Sequence, residues 1–278
     1  MQKQEADRLR RLAAEIRIET LRGLGTLGFG HIGGSFSIAD LLAVLYGKQM
    51  NIRPEDPKWE DRDWLVCSKG HAGPAVYAAL CVKGYFPKEW MLEINKPGTH
   101  LPSHCDRILT PGVDMTTGSL GQGSSAAAGI ALGNRMNGKD SYTYLILGDG
   151  EIQEGQVWEA MGFIAQQKLS HLIAFVDYNK KQLDGYVRDI IDEANIDERM
   201  RAFGLHSVVV DGHDVEAIDA AIEEAKSLQK PACIVLDTVK AKGCVFAEDL
   251  FANHSINISA EQMEEGIRAL EEEKRRWA

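Results

Sequence analysis

Two polar side chains lie where a metal ion could bind. Asp149 is in the sequence GDG (148–150), directly after the apolar run TYLIL, and Asn179 follows the run LIAFVDY thirty residues later. Because one helix between two strands makes them parallel neighbours, both side chains are expected at the same edge of one sheet. Carboxylate and amide oxygens suit Mg²⁺, which fills its other positions with phosphate oxygens and water. The pattern indicates a Mg²⁺ ion that holds a diphosphate group.

The same residues also have an interpretation without a ligand, because Asp-Gly is a common dipeptide in β-hairpin turns. The segment after Gly150, however, has the spacing of a helix rather than of an antiparallel strand, which disfavours a hairpin. The glycines beside Asp149 let the backbone approach a diphosphate closely. The N-terminus of the following helix would favour the anion.

The elements around these residues predict an α/β fold, a doubly wound and mostly parallel sheet flanked by helices. Strands rich in β-branched residues alternate with amphipathic helices, which is typical of such sheets. One domain is predicted over 1–278, with a loop and helical tail at 238–278. The predicted strands are 63–67, 143–147, 172–176, 205–210 and 232–239, and the predicted helices are 74–84, 119–136, 154–168 and 215–228. Residues 95–118 are predicted to be a long loop. Ser37 and Asp214 are each predicted to be the N-cap of the helix that follows them.

Composition narrows the class of protein. The 278 residues are 44% hydrophobic and 26% charged, as in soluble globular proteins, and the net charge of −10 disfavours a nucleic-acid or anionic membrane surface. The five cysteines form no CxxC pair, which is typical of reduced thiols in the cytoplasm. The N-terminus has a charged helical pattern rather than that of a signal peptide, and no apolar run is long enough to span a bilayer. We therefore expect a cytoplasmic protein.

Several motifs together resemble the transketolases, a branch of the thiamine-diphosphate-dependent enzymes. They are GDG with the asparagine thirty residues on, TPGVDMTTGSLGQG (110–123), GHIGGSFS (30–37) and SKGHAG (68–73). The likeness covers roughly residues 10–258 and is to the N-terminal, diphosphate-binding half of a transketolase. It implies the thiamine-diphosphate-binding fold, with thiamine diphosphate and Mg²⁺ as cofactors. The pyrimidine-binding half has no counterpart in this chain, so the resemblance implies a split enzyme with a C-terminal partner subunit, in an α₂β₂ heterotetramer.

The resemblance also implies roles for individual residues near the cofactor. Asp149, Asn179 and the backbone carbonyl of Lys181 would bind the metal. Gly150 would lie against the diphosphate, and Glu154 would lie near the cofactor and the subunit interface. As an acidic residue at a helix N-terminus, Glu154 would also stabilise the helix dipole. The backbone at Gly118, Ser119 and Leu120 would approach the aminopyrimidine ring.

Four histidines lie at positions that match the family. By the resemblance, His31 and His104 would be catalytic and face the carbonyl side of the donor sugar, and His71 would contact the diphosphate. His254 would lie over both the diphosphate and the reacting carbons, although the chain has His-Ser there where the family usually has His-Gly. Imidazoles suit proton transfer near neutral pH, but each could instead be a hydrogen-bonded structural residue.

The implied reaction is transfer of a two-carbon ketol group from a ketose to an aldose. The sequence leaves open whether the sugars carry phosphate, sulfonate or neither, so a sulfosugar or a branched-sugar phosphate fits as well as a standard substrate. Two other classes remain open. One is half of another thiamine-diphosphate enzyme, of the 2-oxo-acid dehydrogenase E1 or deoxyxylulose-phosphate synthase type. The other is a non-catalytic scaffold protein that kept the fold.

Overall fold

Five apolar runs form one parallel sheet in the computed structural model, which describes residues 1–277. The strands are β1 Phe29–Gly30, β2 Trp64–Cys67, β3 Thr143–Gly148, β4 Leu172–Tyr178, β5 His206–Asp211, β6 Ala232–Asp237 and β7 Ile256–Asn257. The strand order in the parallel sheet is β2-β3-β4-β6-β5, and a short antiparallel pair, β1 with β7, lies apart from it.

Helices cover both faces of the sheet, which confirms the predicted doubly wound α/β architecture. Alternate residues of β3 point to opposite sides, as the pleat of a strand requires. Tyr144 and Ile146 pack in one apolar core, whereas Leu145 and Leu147 pack in the other. The helices are α1 Lys3–Leu27, α2 Ile32–Phe36, α3 Ala39–Val44, α4 Gly73–Val82, α5 Gln122–Met136, α6 Gly155–Gln166, α7 Val187–Ile190, α8 Ile196–Ala202, α9 Val215–Ser227 and α10 Ala260–Arg276.

The segment after β6 is the predicted loop and helical tail. Its helix α10 begins with a capping box, in which the Ser259 hydroxyl accepts a bond from the N–H of Gln262, whose side chain bonds back to the backbone of Ser259. The helix packs against α1. The last residue of the predicted tail, 278, lies outside the described residues. None of the helices in residues 1–277 has the length and apolarity needed to cross a membrane.

The two predicted helix caps had different outcomes. Asp214 caps α9, as predicted, by accepting a bond from the N–H of Glu216 at 2.9 Å. The prediction for Ser37 was wrong, because Ile38 precedes α3 and makes no side-chain cap. The Ser37 hydroxyl instead donates to the buried carboxylate of Asp177 at 2.7 Å. A hydrogen bond to an ionised acceptor is stronger than one to a neutral acceptor, which favours this arrangement.

Candidate active site

The ends of β3 and β4 lie side by side, as predicted. Gly148 is in register with Asp177, so the residues that follow the two strands are neighbours. The Asp149 carboxylate is only 3% exposed and accepts bonds from the N–H groups of Gly150 (2.8 Å) and Lys180 (2.6 Å). The second bond joins the GDG turn to the segment after β4. Both predicted metal-binding side chains therefore lie at one edge of the sheet.

The amide of Asn179 has a defined orientation. Its Nδ2 donates to Asp177 at 2.9 Å, and its Oδ1 accepts a bond from the N–H of Lys181 at 3.2 Å. Because a carbonyl oxygen has two lone pairs, Oδ1 can still bind a cation. The third predicted ligand, the carbonyl oxygen of Lys181, accepts a bond from Nζ of Lys240 at 2.8 Å.

A buried carboxylate that the sequence reasoning missed supports this edge. Asp177 accepts bonds from Lys69 (2.5 Å), Ser37 (2.7 Å), Thr238 (2.5 Å) and Asn179, and is fully buried. Burial by itself would raise the pKa of Asp177, but the charge of Lys69 and these hydrogen bonds hold the pKa below its usual value. The signal in the sequence was an aspartate within the apolar run LIAFVDY. A buried charge of this kind needs a buried partner.

Asp149, in contrast, has no cationic side chain bonded to it in the described part of the chain. Burial, and next the negative charge of Asp177, raise the pKa of Asp149 to about 7. Hydrogen bonding from Gly150 and the charges of Lys240 and Lys69 offset only part of this. The ionised carboxylate would therefore be stabilised by an added positive charge, which a bound cation would supply.

The donor atoms at this edge fit Mg²⁺. They are one carboxylate, one side-chain amide oxygen and one backbone carbonyl, which are the hard oxygen ligands that Mg²⁺ prefers. Residues 1–277 contain no cluster of three or more His, Cys, Asp or Glu side chains placed to hold a metal. A cation at this edge would therefore depend on the amide, the carbonyl and additional oxygens from a diphosphate or water.

The four predicted histidines lie together. The ring centre of His31 is 5.7 Å from that of His71, 5.4 Å from His104 and 5.3 Å from His254, and His71 is 4.8 Å from His254. These residues come from four segments that are distant in the sequence. Their convergence makes a purely local role for each histidine a poor explanation.

The environment of the four rings favours neutral imidazoles. Burial is the main cause, and it lowers the pKa of His104, of His31 and, more strongly, of His71. For His254, burial and then the charge of Lys240 lower the pKa to about 3. A neutral imidazole has one donor and one acceptor nitrogen, so the cluster can both give and take hydrogen bonds from a sugar. The buried Nδ1 of His254 has no partner in the described residues.

The glycine-rich loops are held together by Glu151, another residue that the sequence reasoning did not assign. This carboxylate is 2% exposed and accepts bonds from the N–H groups of Gly121 (2.8 Å) and Gly148 (3.0 Å) and from the hydroxyl of Ser68. Burial raises its pKa, and these three bonds lower it in part. Glu151 therefore joins the SKGH segment, the start of α5 and the GDG turn.

Most of the predicted site residues line one cavity of about 230 Å³. Two predicted residues are not part of its lining: Ser119 is exposed beside it, and Glu154 is exposed directly before α6. Their roles stay predictions. The cavity lining also includes Lys69, Glu151 and Lys240. The predicted residues that line it are His31, His71, His104, Gly118, Leu120, Asp149, Gly150, Asn179, Lys181 and His254.

Comparison with known proteins identifies the class of this fold and site. Residues 8–273 match the family described as transketolase, thiamine diphosphate binding domain. The chain belongs to this family, and it corresponds to the N-terminal, thiamine-diphosphate-binding half of a transketolase.

Two curated relatives are similar over most of their own length. One is the 6-deoxy-6-sulfo-D-fructose transketolase subunit SqwG of Clostridium sp. (strain MSTE9), 50% identical over 98% of this chain and 99% of that protein. The other is one of the subunits of the apulose-4-phosphate transketolase of Actinobacillus succinogenes, 35% identical over 79% of each chain.

A solved transketolase confirms the fold. The structure from Campylobacter jejuni has a TM-score of 0.89 and 29% identity to this chain. It covers 97% of this chain, which spans 45% of the solved transketolase. The predicted transketolase fold, and the prediction of a transketolase subunit rather than a different kind of thiamine-diphosphate enzyme, are thus confirmed.

Proposed function

We propose that this chain is the subunit of a split transketolase that holds the diphosphate and metal end of thiamine diphosphate. The observation that carries this proposal is the oxygen set of Asp149, Asn179 and Lys181 beside a cluster of four histidines. Thiamine diphosphate, when bound, supplies the carbanion chemistry of ketol transfer. The chain binds and orients it through Mg²⁺, with residues 1–278 acting as one domain.

We assign the remaining site residues by their position in or beside the cavity and by their match to the family. His31, His104 and His254 would bind the donor sugar and transfer protons to and from its hydroxyl and carbonyl oxygens. His71 and Gly150 would contact the diphosphate. The cofactor ring would lie near Gly118, Ser119 and Leu120, with Glu154 at the boundary with a partner chain.

The partner would be a second subunit with the pyrimidine-binding domain, in an α₂β₂ assembly. Support comes from exposed apolar side chains in the cavity lining and in the segments that follow β4 and β6, since exposed apolar surface marks interaction sites. Leu183 lines the cavity and is 70% exposed. Tyr186 and Phe251 are also exposed, and their ring centres lie 5.1 Å apart. All five cysteines are free and buried, which is consistent with the cytoplasm.

For the donor sugar we propose 6-deoxy-6-sulfofructose. The sequence identity to a subunit named for that sugar is 50%, compared with 35% for the subunit named for apulose 4-phosphate. Cleavage between C2 and C3 would transfer the two-carbon ketol group and leave a four-carbon aldehyde that carries the sulfonate.

The test is reconstitution with the partner subunit. The pair should transfer a ketol group from 6-deoxy-6-sulfofructose to an aldose phosphate, with thiamine diphosphate and Mg²⁺ present, and neither chain should do so alone. Fructose 6-phosphate and apulose 4-phosphate serve as comparison donors. Faster turnover of apulose 4-phosphate would replace the sulfosugar assignment, and activity of the single chain would contradict the split site.

A further inference from the structure

A small cavity lies at the edge of the sheet where β3 and β4 begin, opposite the edge that carries the candidate active site. The N–H of Thr143, the first residue of β3, donates to the carbonyl of His171 at 2.8 Å, which holds together the turns before the two strands. The last turn of α5 also contributes to the lining. The cavity has a volume of about 80 Å³. This is room for a small ion, since one water needs roughly 10–15 Å³.

Two buried polar side chains in the cavity lining have no hydrogen-bond partner. Asn134 is 8% exposed and Ser141 is 4% exposed, and both line the cavity. Among the described residues, nothing bonds to Nδ2 of Asn134 or to Oγ of Ser141. An unpaired buried donor is unfavourable. Because an amide nitrogen only donates and a hydroxyl can donate, one acceptor in the cavity would satisfy both groups.

The charged side chains of the lining are both positive. They are Arg135 and Lys139, and no Asp or Glu of residues 1–277 lines the cavity. The guanidinium of Arg135 donates to the carbonyl of Gln167, and the ammonium of Lys139 lies 3.4 Å from the carboxylate of Glu60 and 3.6 Å from that of Asp61. Both carboxylates are largely exposed. A guanidinium has five donors and an ammonium three, so both cations keep donors for a further acceptor.

The two cations have a structural explanation, but it does not cover the whole cavity. Basic residues near a helix C-terminus stabilise the helix dipole, and Arg135 lies in the last turn of α5. That role does not require an unpaired amide at Asn134 or an unpaired hydroxyl at Ser141. The carbonyl of Asn134 already accepts a bond from the N–H of Lys139 at 2.9 Å, so it would not present a free oxygen to an anion.

We propose that this cavity binds a tetrahedral oxyanion of the phosphate or sulfate class. The amide of Asn134 and the hydroxyl of Ser141 would donate to its oxygens, and Arg135 and Lys139 would supply the compensating charge. Such an ion would join the end of α5 to the turn before β3 and stabilise the folded chain. The inference does not depend on the proposed function, because the cavity lies at the other ends of the strands.

Calorimetric titration of the full chain with inorganic phosphate is the test. Saturating thiamine diphosphate and Mg²⁺ are present, so that phosphate does not bind at the candidate active site. Ser141→Ala should bind phosphate about tenfold weaker than the unchanged chain, since one hydrogen bond to a charged group is lost. Asn134→Asp should abolish measurable binding, because it replaces the donor with a negative charge. Lys3→Met, which removes an exposed charge at the start of α1, should stay within about twofold.

Thermal unfolding separates a ligand site from simple packing. In buffer without phosphate or sulfate, Ser141→Ala should unfold at the same temperature as the unchanged chain or a higher one, because it removes a buried hydroxyl without a partner. With phosphate the order should reverse, since the unchanged chain gains more stability from the ion. If Asn134→Asp fails to fold, as judged by circular dichroism, Arg135→Met replaces it and should also bind phosphate more weakly.

Sulfate and glycerol 3-phosphate, titrated in the same way, identify the source of the oxyanion. Tighter binding of phosphate or sulfate supports a free ion, and tighter binding of glycerol 3-phosphate supports the head group of a larger molecule. Equal phosphate binding by the unchanged chain, Ser141→Ala and Asn134→Asp would mean an adventitious ion only and overturns the inference. Absence of binding, or a lower unfolding temperature of Ser141→Ala without phosphate, overturns it as well. If thiamine diphosphate fails to bind while the variants still differ, the proposed function is wrong and this inference stands.

Discussion

Two buried aspartates in different parts of the molecule show how a structural charge differs from one placed for a ligand. Asp40, at the start of α3, accepts a bond from the guanidinium of Arg17 at 3.2 Å and contacts Nδ1 of His213 at 2.9 Å. Burial would raise the pKa of Asp40, but Arg17 and His213 lower it overall. Asp149 is buried to a similar degree, yet only backbone N–H groups bond to it, and its pKa is raised to about 7.

The difference concerns what the fold supplies to each carboxylate. At Asp40 the chain itself provides the compensating positive charge, so that region is complete without a ligand. At Asp149 the chain provides hydrogen bonds but too little positive charge, and the missing charge is of the kind that a metal ion brings. A buried acid of raised pKa in a cavity is thus a better sign of a binding site than burial alone.

The largest effect is expected from Asp149→Ala. Loss of this ligand should remove Mg²⁺-dependent binding of thiamine diphosphate, with a fall beyond the roughly 10–100-fold that loss of an outer-shell partner costs. Calorimetric titration with thiamine diphosphate and Mg²⁺ measures it, and Asp189→Ala, an exposed carboxylate on α7, is the control. Unchanged affinity in Asp149→Ala would mean that the GDG segment is only a turn.

At the other aspartate, Arg17→Met should affect stability and leave the cofactor site intact. Removing one partner of a buried ion pair costs roughly 3–5 kcal/mol, because the remaining charge stays buried. The free energy of unfolding from urea titration should fall by about that amount. Thiamine diphosphate affinity at saturating Mg²⁺ should stay within about twofold, since neither Arg17 nor Asp40 lines the cavity. A large loss of affinity would show that the two regions are coupled.

Asp177→Asn tests a carboxylate that forms a structural ion pair and also supports the proposed metal site. It is paired with Lys69, as Asp40 is with Arg17, but it also orients the amide of Asn179. The change removes the charge while keeping the shape. We expect a loss of stability together with a fall in Mg²⁺-dependent thiamine diphosphate affinity of about 10–100-fold. Thermal unfolding and calorimetry on the same samples measure both, and a loss of stability without a loss of affinity would make Asp177 purely structural.

The last prediction is a pH dependence of stability in the absence of divalent cations. Because the pKa of Asp149 is raised from 3.8 to about 7, the folded chain binds this proton more tightly than the unfolded chain. The stabilisation that this proton gives to the folded chain should therefore be lost as the pH rises from about 4 to about 7, and the free energy of unfolding should fall by at most ~1.4 kcal/mol per pH unit. Thermal unfolding in EDTA should show a steeper decline with pH for the unchanged chain than for Asp149→Ala. Equal slopes would contradict the raised pKa.

The sequence was sufficient to predict the sheet and the position of its functional edge. Runs of β-branched residues such as TYLIL and LIAFVDY indicate buried parallel strands, and the helix between them fixes which strand ends are neighbours. Motif likeness then placed the four histidines near one another, which the ring distances confirm.

The contacts between buried polar groups could not be predicted in the same way. Lys69 and Asp177 are 108 residues apart, and Ser37 and Asp177 are 140 apart, so periodicity carries no information about their pairing. Ser37 looked like a helix cap because its residue type favours that position. Glu151 accepts bonds from Ser68, Gly121 and Gly148, and the first two of these donors are 83 and 30 residues away in the sequence. Such pairings depend on tertiary structure.

The role of Glu151 as a common acceptor limits how the site can be altered. Three loops, represented by Ser68, Gly121 and Gly148, are joined through one carboxylate. Exchanging one loop for that of a distant relative would leave a buried acceptor or a donor without its partner unless the other two loops match. In a chimeric or engineered enzyme, the three loops and Glu151 are therefore best transferred together, as one inherited unit.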